Sequence, residues 1–184
     1  MEPGTVVILT GPPGAGKSTT ARSLATSFER SVHLHSDDFW HYIVSGAIPP
    51  YLPESHGQNE TVMEVLRSAA FAYAAGGYVT FVDGIIGPWM LDHFLNPRDL
   101  GSVPAMQYIV LRPSREETLR RAQSRGTQDA LVSSGPVVSL WDQFSNLGEW
   151  EGHAIDTTSH SPADTVAAVQ SAMTGASYIL SASS

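Results

Sequence analysis

Residues 11–18 read Gly-Pro-Pro-Gly-Ala-Gly-Lys-Ser, and no other stretch restricts the fold as tightly. A loop that wraps an anion needs backbone N–H groups converging on one point, and glycine lets the chain approach without Cβ clashes. Gly11, Gly14 and Gly16 provide that freedom. The preceding run, Thr5 to Thr10, is short and almost continuously apolar, as in a strand buried on both faces. Downstream, Ala21, Leu24, Ala25 and Phe28 recur at helical spacing, so the loop opens a helix whose positive end faces it. Strand, glycine loop and helix together predict a phosphate cradle. Lys17 is positioned to reach β- and γ-phosphates and Ser18 to bind Mg²⁺, with Gly11, Gly14, Ala15, Gly16 and Thr19 completing the contact run. The ligand implied is ATP with Mg²⁺. An ordinary Gly/Pro turn before a helix would share the glycines, but not their combination with Lys17 and Ser18.

The remaining chain alternates strand and helix. Strands are predicted at 31–35, 78–82, 105–111 and 153–156, with helices over 38–46, after 58, over 88–95, after 114, near 137–147 and from 162. Ser55 with Gln58 and Ser114 with Glu117 match capping boxes, and Val62, Val65, Leu66, Ala69 and Tyr73 form the expected buried stripe of the third helix. Asp38 is a candidate cap for the second. The reading is a single α/β domain over 1–184: a three-layer sandwich around a five-stranded parallel sheet, with a short lid at about 120–136 and a frayed tail over 176–184.

Ligands of open α/β sheets bind outside the carboxyl ends of strands, where Asp37 and Asp83 both fall. Asp83 is a candidate for the metal site together with Ser18. Asp37 is the candidate base that orients an acceptor hydroxyl and takes its proton. Arg121 and Arg125, four apart, share a helix face beside the lid, one suited to adenine and the other to the transferred phosphoryl group. A solvated face with Glu117 paired to Arg121 is the plainer alternative. Trp40 and Trp89 follow strand ends where an acceptor pocket would form, among Phe39, Tyr42, Ile48, Tyr51, Met90 and Phe94. His33, His35, His41, His56 and His93 lack zinc-ligand spacing and receive no metal.

A net charge of −8 argues against nucleic acid as partner and for a small molecule. The absence of cysteine excludes disulfides and thiolate metal sites. A first strand beginning by Thr5 leaves no room for a signal peptide, and no apolar run approaches the roughly 18 residues of a membrane span, so a cytoplasmic location is expected. Nothing in the sequence addresses the oligomeric state.

The order Gly-Pro-Pro-Gly-Ala-Gly-Lys-Ser-Thr, Ser-Asp-Asp, Asp and Arg-x-x-x-Arg resembles the adenylate-kinase-like group of small P-loop kinases, nearest the branch of chloramphenicol phosphotransferase, gluconate and shikimate kinases and polynucleotide kinases. The resemblance implies a P-loop NTPase fold, with Asp37 as base or substrate ligand and Arg121 and Arg125 contacting adenine and phosphates. Shikimate and gluconate kinases carry a further Asp where this chain has His35, and polynucleotide kinases an Arg where it has Trp40. Both departures remove groups suited to a polar or phosphorylated acceptor. The expected activity is transfer of the γ-phosphoryl group of ATP to a hydroxyl of a small, partly apolar molecule, with antibiotic-like acceptors conceivable. A polynucleotide 5′-hydroxyl kinase and a regulatory P-loop ATPase with no acceptor are the alternatives. The missing Asn-Lys-x-Asp guanine motif argues against a GTPase switch.

Overall fold

The computed structural model describes residues 4–96, 103–124 and 134–180. Five strands, β1 (Thr5–Thr10), β2 (Ser31–His35), β3 (Val79–Gly84), β4 (Ala105–Leu111) and β5 (Ala154–Ile155), form one parallel sheet in the order β2-β3-β1-β4-β5. Because β1 lies centrally, its side chains must be apolar on both faces. Val6 and Ile8 enter one core with Met63, Leu66, Phe71, Phe94, Tyr108 and Phe144, while Val7 and Leu9 enter the other with Leu24, Phe81, Ile109 and Val169. Burying each such side chain contributes about 1.5–3 kcal/mol. The helices that close these layers are α3 (His56–Ala75) and α4 (Asp92–Leu95) on the first face, and α1 (Lys17–Ala25) and α7 (Pro162–Thr174) on the second. The three-layer α/β architecture is therefore the direct outcome of a strand apolar on both sides.

The chain leaves β1 for one edge of the sheet and later crosses to the other, so a crevice opens between neighbours at the carboxyl end of β1. Gly11 turns the chain there with φ of 139°, and a Cβ on it would meet the Leu111 carbonyl oxygen at 2.1 Å. At Gly14, with φ of 84°, the loop lies so close to α5 (Arg115–Gln123) that an added Cβ would stand 2.9 Å from the Thr118 carbonyl oxygen.

Several local expectations are corrected. The second helix, α2, runs over Ser36–His41, beginning earlier and ending sooner than the stretch 38–46, and its N-cap is His35 without a side-chain cap bond, so Asp38 does not cap it. The Ser55/Gln58 capping box does not form. Ser55 Oγ donates to the carbonyls of Pro50 and Leu52, and the Gln58 amide clasps both backbone groups of Ile48, pinning the preceding loop to α3. The buried stripe of α3 is Val62, Met63, Leu66, Ala70 and Ala74; Val65 and Tyr73 are exposed. The 88–95 region is a 3₁₀ turn (Pro88–Met90) followed by α4, because Pro88 starts a tight turn. Ser114 caps α5 through the Glu117 amide, but the Glu117 carboxylate turns to arginines instead of closing a box. Ser161 and Asp164 do form a reciprocal box at α7.

The penultimate helix, α6, spans Ser134–Phe144, so Arg125 and most of the lid stretch fall outside the described residues. The tail is not frayed over 176–180. Ala176–Tyr178 form a 3₁₀ turn, Ile179 bridges Gln107, and Leu180 is buried with its N–H on the Met106 carbonyl. No helix among the described residues is long and apolar enough to cross a membrane.

Candidate active site

The glycine loop ends at Gly16, in the left-handed conformation at the N-cap of α1, with no side-chain cap and no acidic residue in the first turn. An uncapped helix start with a positive dipole end is suited to an anion. The Lys17 ammonium, 8% exposed, donates to the carbonyls of Gly11 and Pro12, both at 3.0 Å, so its charge spans the mouth of the loop.

Asp83 pairs in register with Leu9, which places it beside the end of β1. It is fully buried and accepts from Ser18 Oγ at 2.5 Å on Oδ2. Its other oxygen, Oδ1, lies 2.5 Å from His33 Nε2 and 3.1 Å from His35 Nδ1. Burial alone would raise the Asp83 pKa, but the hydrogen bonds from His33, His35 and Ser18 outweigh it and hold the carboxyl well below the usual carboxylate range. The same Asp83 contact, opposed by burial and aided by Asp37 and Asp38, raises the pKa of His35. A Ser hydroxyl next to an ionised carboxylate is a hard oxygen donor pair, which fits Mg²⁺ held jointly with substrate phosphates.

Asp37 sits in the first turn of α2 with a side chain 64% exposed. Ser36 Oγ lies 3.3 Å from its Oδ1, and His35 Nε2 is 3.6 Å from its Oδ2. His35 therefore stands between the carboxylate beside the glycine loop and the candidate base. Trp40, three residues on from Asp37, shares its side of α2, donates to Asn59 Oδ1 at 2.8 Å and packs on the first core.

On the other side of the loop a groove of about 570 Å³ runs between the start of α1, α5 and the segment before α7, lined by Gly16, Thr19, Arg121, Thr158 and His160. Arg121 is paired with Glu117 at 2.5 Å and donates through Nη2 to the carbonyls of Thr157, Thr158 and His160. It thus ties α5 to the loop that walls the groove. Hydrogen bonds from Arg120 and Arg121 lower the Glu117 pKa to about 2. His160 Nδ1 is buried without a hydrogen-bond partner among the described residues.

A second cavity, about 450 Å³, is apolar and lined by Phe39, Tyr42, Ile43, Ile48, Val62 and Val65. Phe39 follows Asp37 by two residues, about 200° around α2, so this cavity lies behind the helix from Asp37. Neither Trp40 nor Trp89 lines it. Trp89 is half exposed and packs edge-on against Phe144.

Two clusters escaped sequence reasoning. One is the His33/His35 pair on Asp83, signalled only by histidines two apart in a strand, which share one face. The other joins α3 to α4: Arg67, 3% exposed, bonds Glu64, and His93 lies 3.1 Å from Glu64 and 3.4 Å from Glu60. The hydrogen bond from His93 lowers the Glu64 pKa.

The sheet order, glycine loop and Ser18/Asp83 pair define a P-loop kinase of the adenylate-kinase-like group. A sequence profile described as AAA domain matches residues 7–142, and the chain belongs to that family. It is 27% identical over 171 residues to a guanylate kinase of Ruegeria pomeroyi, covering 80% of this chain and 76% of that one. Among solved structures, a sugar kinase from Janibacter sp. superposes with a TM-score of 0.66 at 17% identity, over 95% of this chain and 97% of that chain. The tunicamycin resistance protein of Deinococcus radiodurans gives 0.64 at 20% identity, over 94% and 96%. The chain has the fold of these P-loop kinases.

Proposed function

We propose that the protein transfers the γ-phosphoryl group of ATP to a hydroxyl of a small, neutral, partly apolar molecule. The observation that carries this reading is the exposed Asp37 carboxylate, one imidazole away from the Ser18/Asp83 pair. A hydrolase needs only to position water, whereas a carboxylate in the open beside the phosphate cradle suits an acceptor hydroxyl.

In this scheme the loop amides and Lys17 hold the β- and γ-phosphates, and the groove beside Arg121 takes the adenine. Ser18 and Asp83 would hold the Mg²⁺ carried with ATP, which would supply charge to offset the phosphates. Asp37 accepts the proton as the acceptor oxygen bonds to the γ-phosphorus. The bond from that phosphorus to the bridging oxygen breaks, leaving ADP and a phosphate monoester. Arg121, and Arg125 four residues further on, are assigned to the adenine ring and the transferring group. A guanylate acceptor would bring a phosphate of its own, and Trp40 stands where polynucleotide kinases carry the arginine that holds a substrate phosphate. Trp40 on the same side favours a partly apolar acceptor, and an antibiotic-like alcohol belongs to that class; one fold neighbour is a tunicamycin resistance protein.

Labelled ATP incubated with a panel of neutral alcohols, guanylate and a 5′-hydroxyl oligonucleotide decides among acceptors. Label is expected in a neutral alcohol; label recovered only as free phosphate would remove the transferase reading. Asp37→Asn is expected to lower kcat by roughly 10²–10⁴-fold with KM for ATP unchanged. Full activity in that variant would exclude Asp37 as base.

A further inference from the structure

β2 and β3 pair in register, His33 with Phe81 and His35 with Asp83. Residues two apart on a strand share a face, so both imidazoles stand on the side of the sheet from which the Asp83 carboxyl projects. That carboxyl is fully buried, and its described partners are these two rings and the Ser18 hydroxyl. Since an ionised carboxylate only accepts, His33 donates from Nε2 and His35 from Nδ1. His33 donates to Oδ1 at 2.5 Å, His35 straddles the carboxylate at 3.1 Å from Oδ1 and 3.2 Å from Oδ2, and Oδ2 also accepts from Ser18 at 2.5 Å. The terminal torsion of an aspartate is otherwise broad, so one donor on Oδ1 and a second spanning both oxygens fix the carboxylate plane and with it the direction Oδ2 faces. The remaining nitrogen of His35 lies 3.6 Å from Asp37 Oδ2, so one ring spans both carboxylates of the site.

We propose that His33 and His35 are positioning residues for phosphoryl transfer: together they aim Asp83 Oδ2 at the Ser18 metal position, and His35 in addition fixes Asp37 relative to it. The proposal rests on the reading of Ser18 and Asp83 as the metal-holding pair. Groups that orient metal ligands from behind typically change metal affinity by about 10–100-fold when removed.

Mn²⁺ serves as the probe, with free ion counted by electron paramagnetic resonance in the presence of saturating ADP. His33→Leu and His35→Leu are expected to weaken Mn²⁺ binding by about 10–100-fold while leaving metal-free ADP affinity at the wild-type value. His33→Gln keeps a donor at the Nε2 position and is expected to restore Mn²⁺ binding, whereas His33→Asn falls short of Oδ1 and is not. His35→Asn keeps the Nδ1-type donor but loses the reach to Asp37. It should bind Mn²⁺ like the wild type yet transfer phosphoryl more slowly. Leucine variants that fold and bind Mn²⁺ with wild-type affinity would overturn the proposal. Should those variants not fold, equal and wild-type Mn²⁺ affinity in His33→Gln and His33→Asn would overturn it as well. Wild-type protein that binds ADP but no Mn²⁺ would instead overturn the metal reading of Ser18 and Asp83 itself, and this proposal with it.

Discussion

Lys17 illustrates how a single side chain is assigned by its neighbours. Its ammonium bridges two carbonyls of the loop it serves, so the charge is already at the mouth of the cradle. Lys17→Ala is expected to reduce kcat on the order of 10²–10³-fold, as for other preorganised charge-stabilising donors, with a cooperative melt retained. Near-normal kcat would remove Lys17 from the transferring group. Asp83 leads to a prediction in pH. Its folded pKa is held below the ordinary 3.8, so its stabilising contribution is complete above 3.8 and is lost as pH falls toward the folded value. His35 is shifted the other way, above 6.5: its contribution is complete below 6.5 and is lost as pH rises through the raised value. The stability difference between wild type and Asp83→Asn should therefore be largest between pH 3.8 and 6.5, and narrow on either side. Urea titrations across that range measure it; a difference independent of pH would contradict the network. Lys17, Ser18 and Asp83 were legible in the sequence because each is placed by spacing along its own segment. The part His33 and His35 play was not, since it depends on the register of β2 against β3.

At the scale of elements, legibility followed how local the determining interactions are. β1 and β4 stand out because nearly continuous apolar runs suit strands buried on both faces. The bounds of α2 do not, since its start is set by a contact from another strand. Ser36, the first residue of α2, is 3% exposed and packs on Gly84 at the end of β3, where an added Cβ would stand 2.0 Å from Ser36 Oγ and 2.6 Å from its Cβ. Gly84 needs no unusual backbone angle, so its role is to make room. Gly84→Ala is expected to cost about 1–3 kcal/mol by overpacking, and to displace the turn that carries Asp37. Its kcat should fall further than its KM for ATP rises, because the glycine loop is held from β1 and α5. Ser36→Gly in the same chain clears the clash, so the double variant should recover part of both losses. Strictly additive losses in a double-mutant cycle would show that the two residues do not act through that contact.

For the molecule as a whole, a parallel five-stranded sheet could be read from alternating strands and helices, but the order β2-β3-β1-β4-β5 could not. Neighbours in space are chosen by which faces bury each other, and that choice leaves little trace in any one segment. The last turns of the chain show the same limit. Ala176 to Leu180 are short of the periodicity that announces a helix or strand, yet Leu180 is 4% exposed in the core that holds Tyr108 and Val110. Its amide closes on Met106 and Ile179 bridges Gln107, so the segment seals the amino-terminal half of β4. The glycine loop lies at the opposite, carboxyl ends of the strands. Stability and nucleotide binding should consequently separate. Leu180→Ala is expected to lower the free energy of unfolding by about 2–5 kcal/mol, the range for truncating a buried leucine, while KM for ATP stays at the wild-type value below the melting transition. Denaturant unfolding and steady-state kinetics on one preparation test both halves. A loss under about 0.5 kcal/mol, the level of an ordinary surface change, would mean that the tail only rests on the sheet.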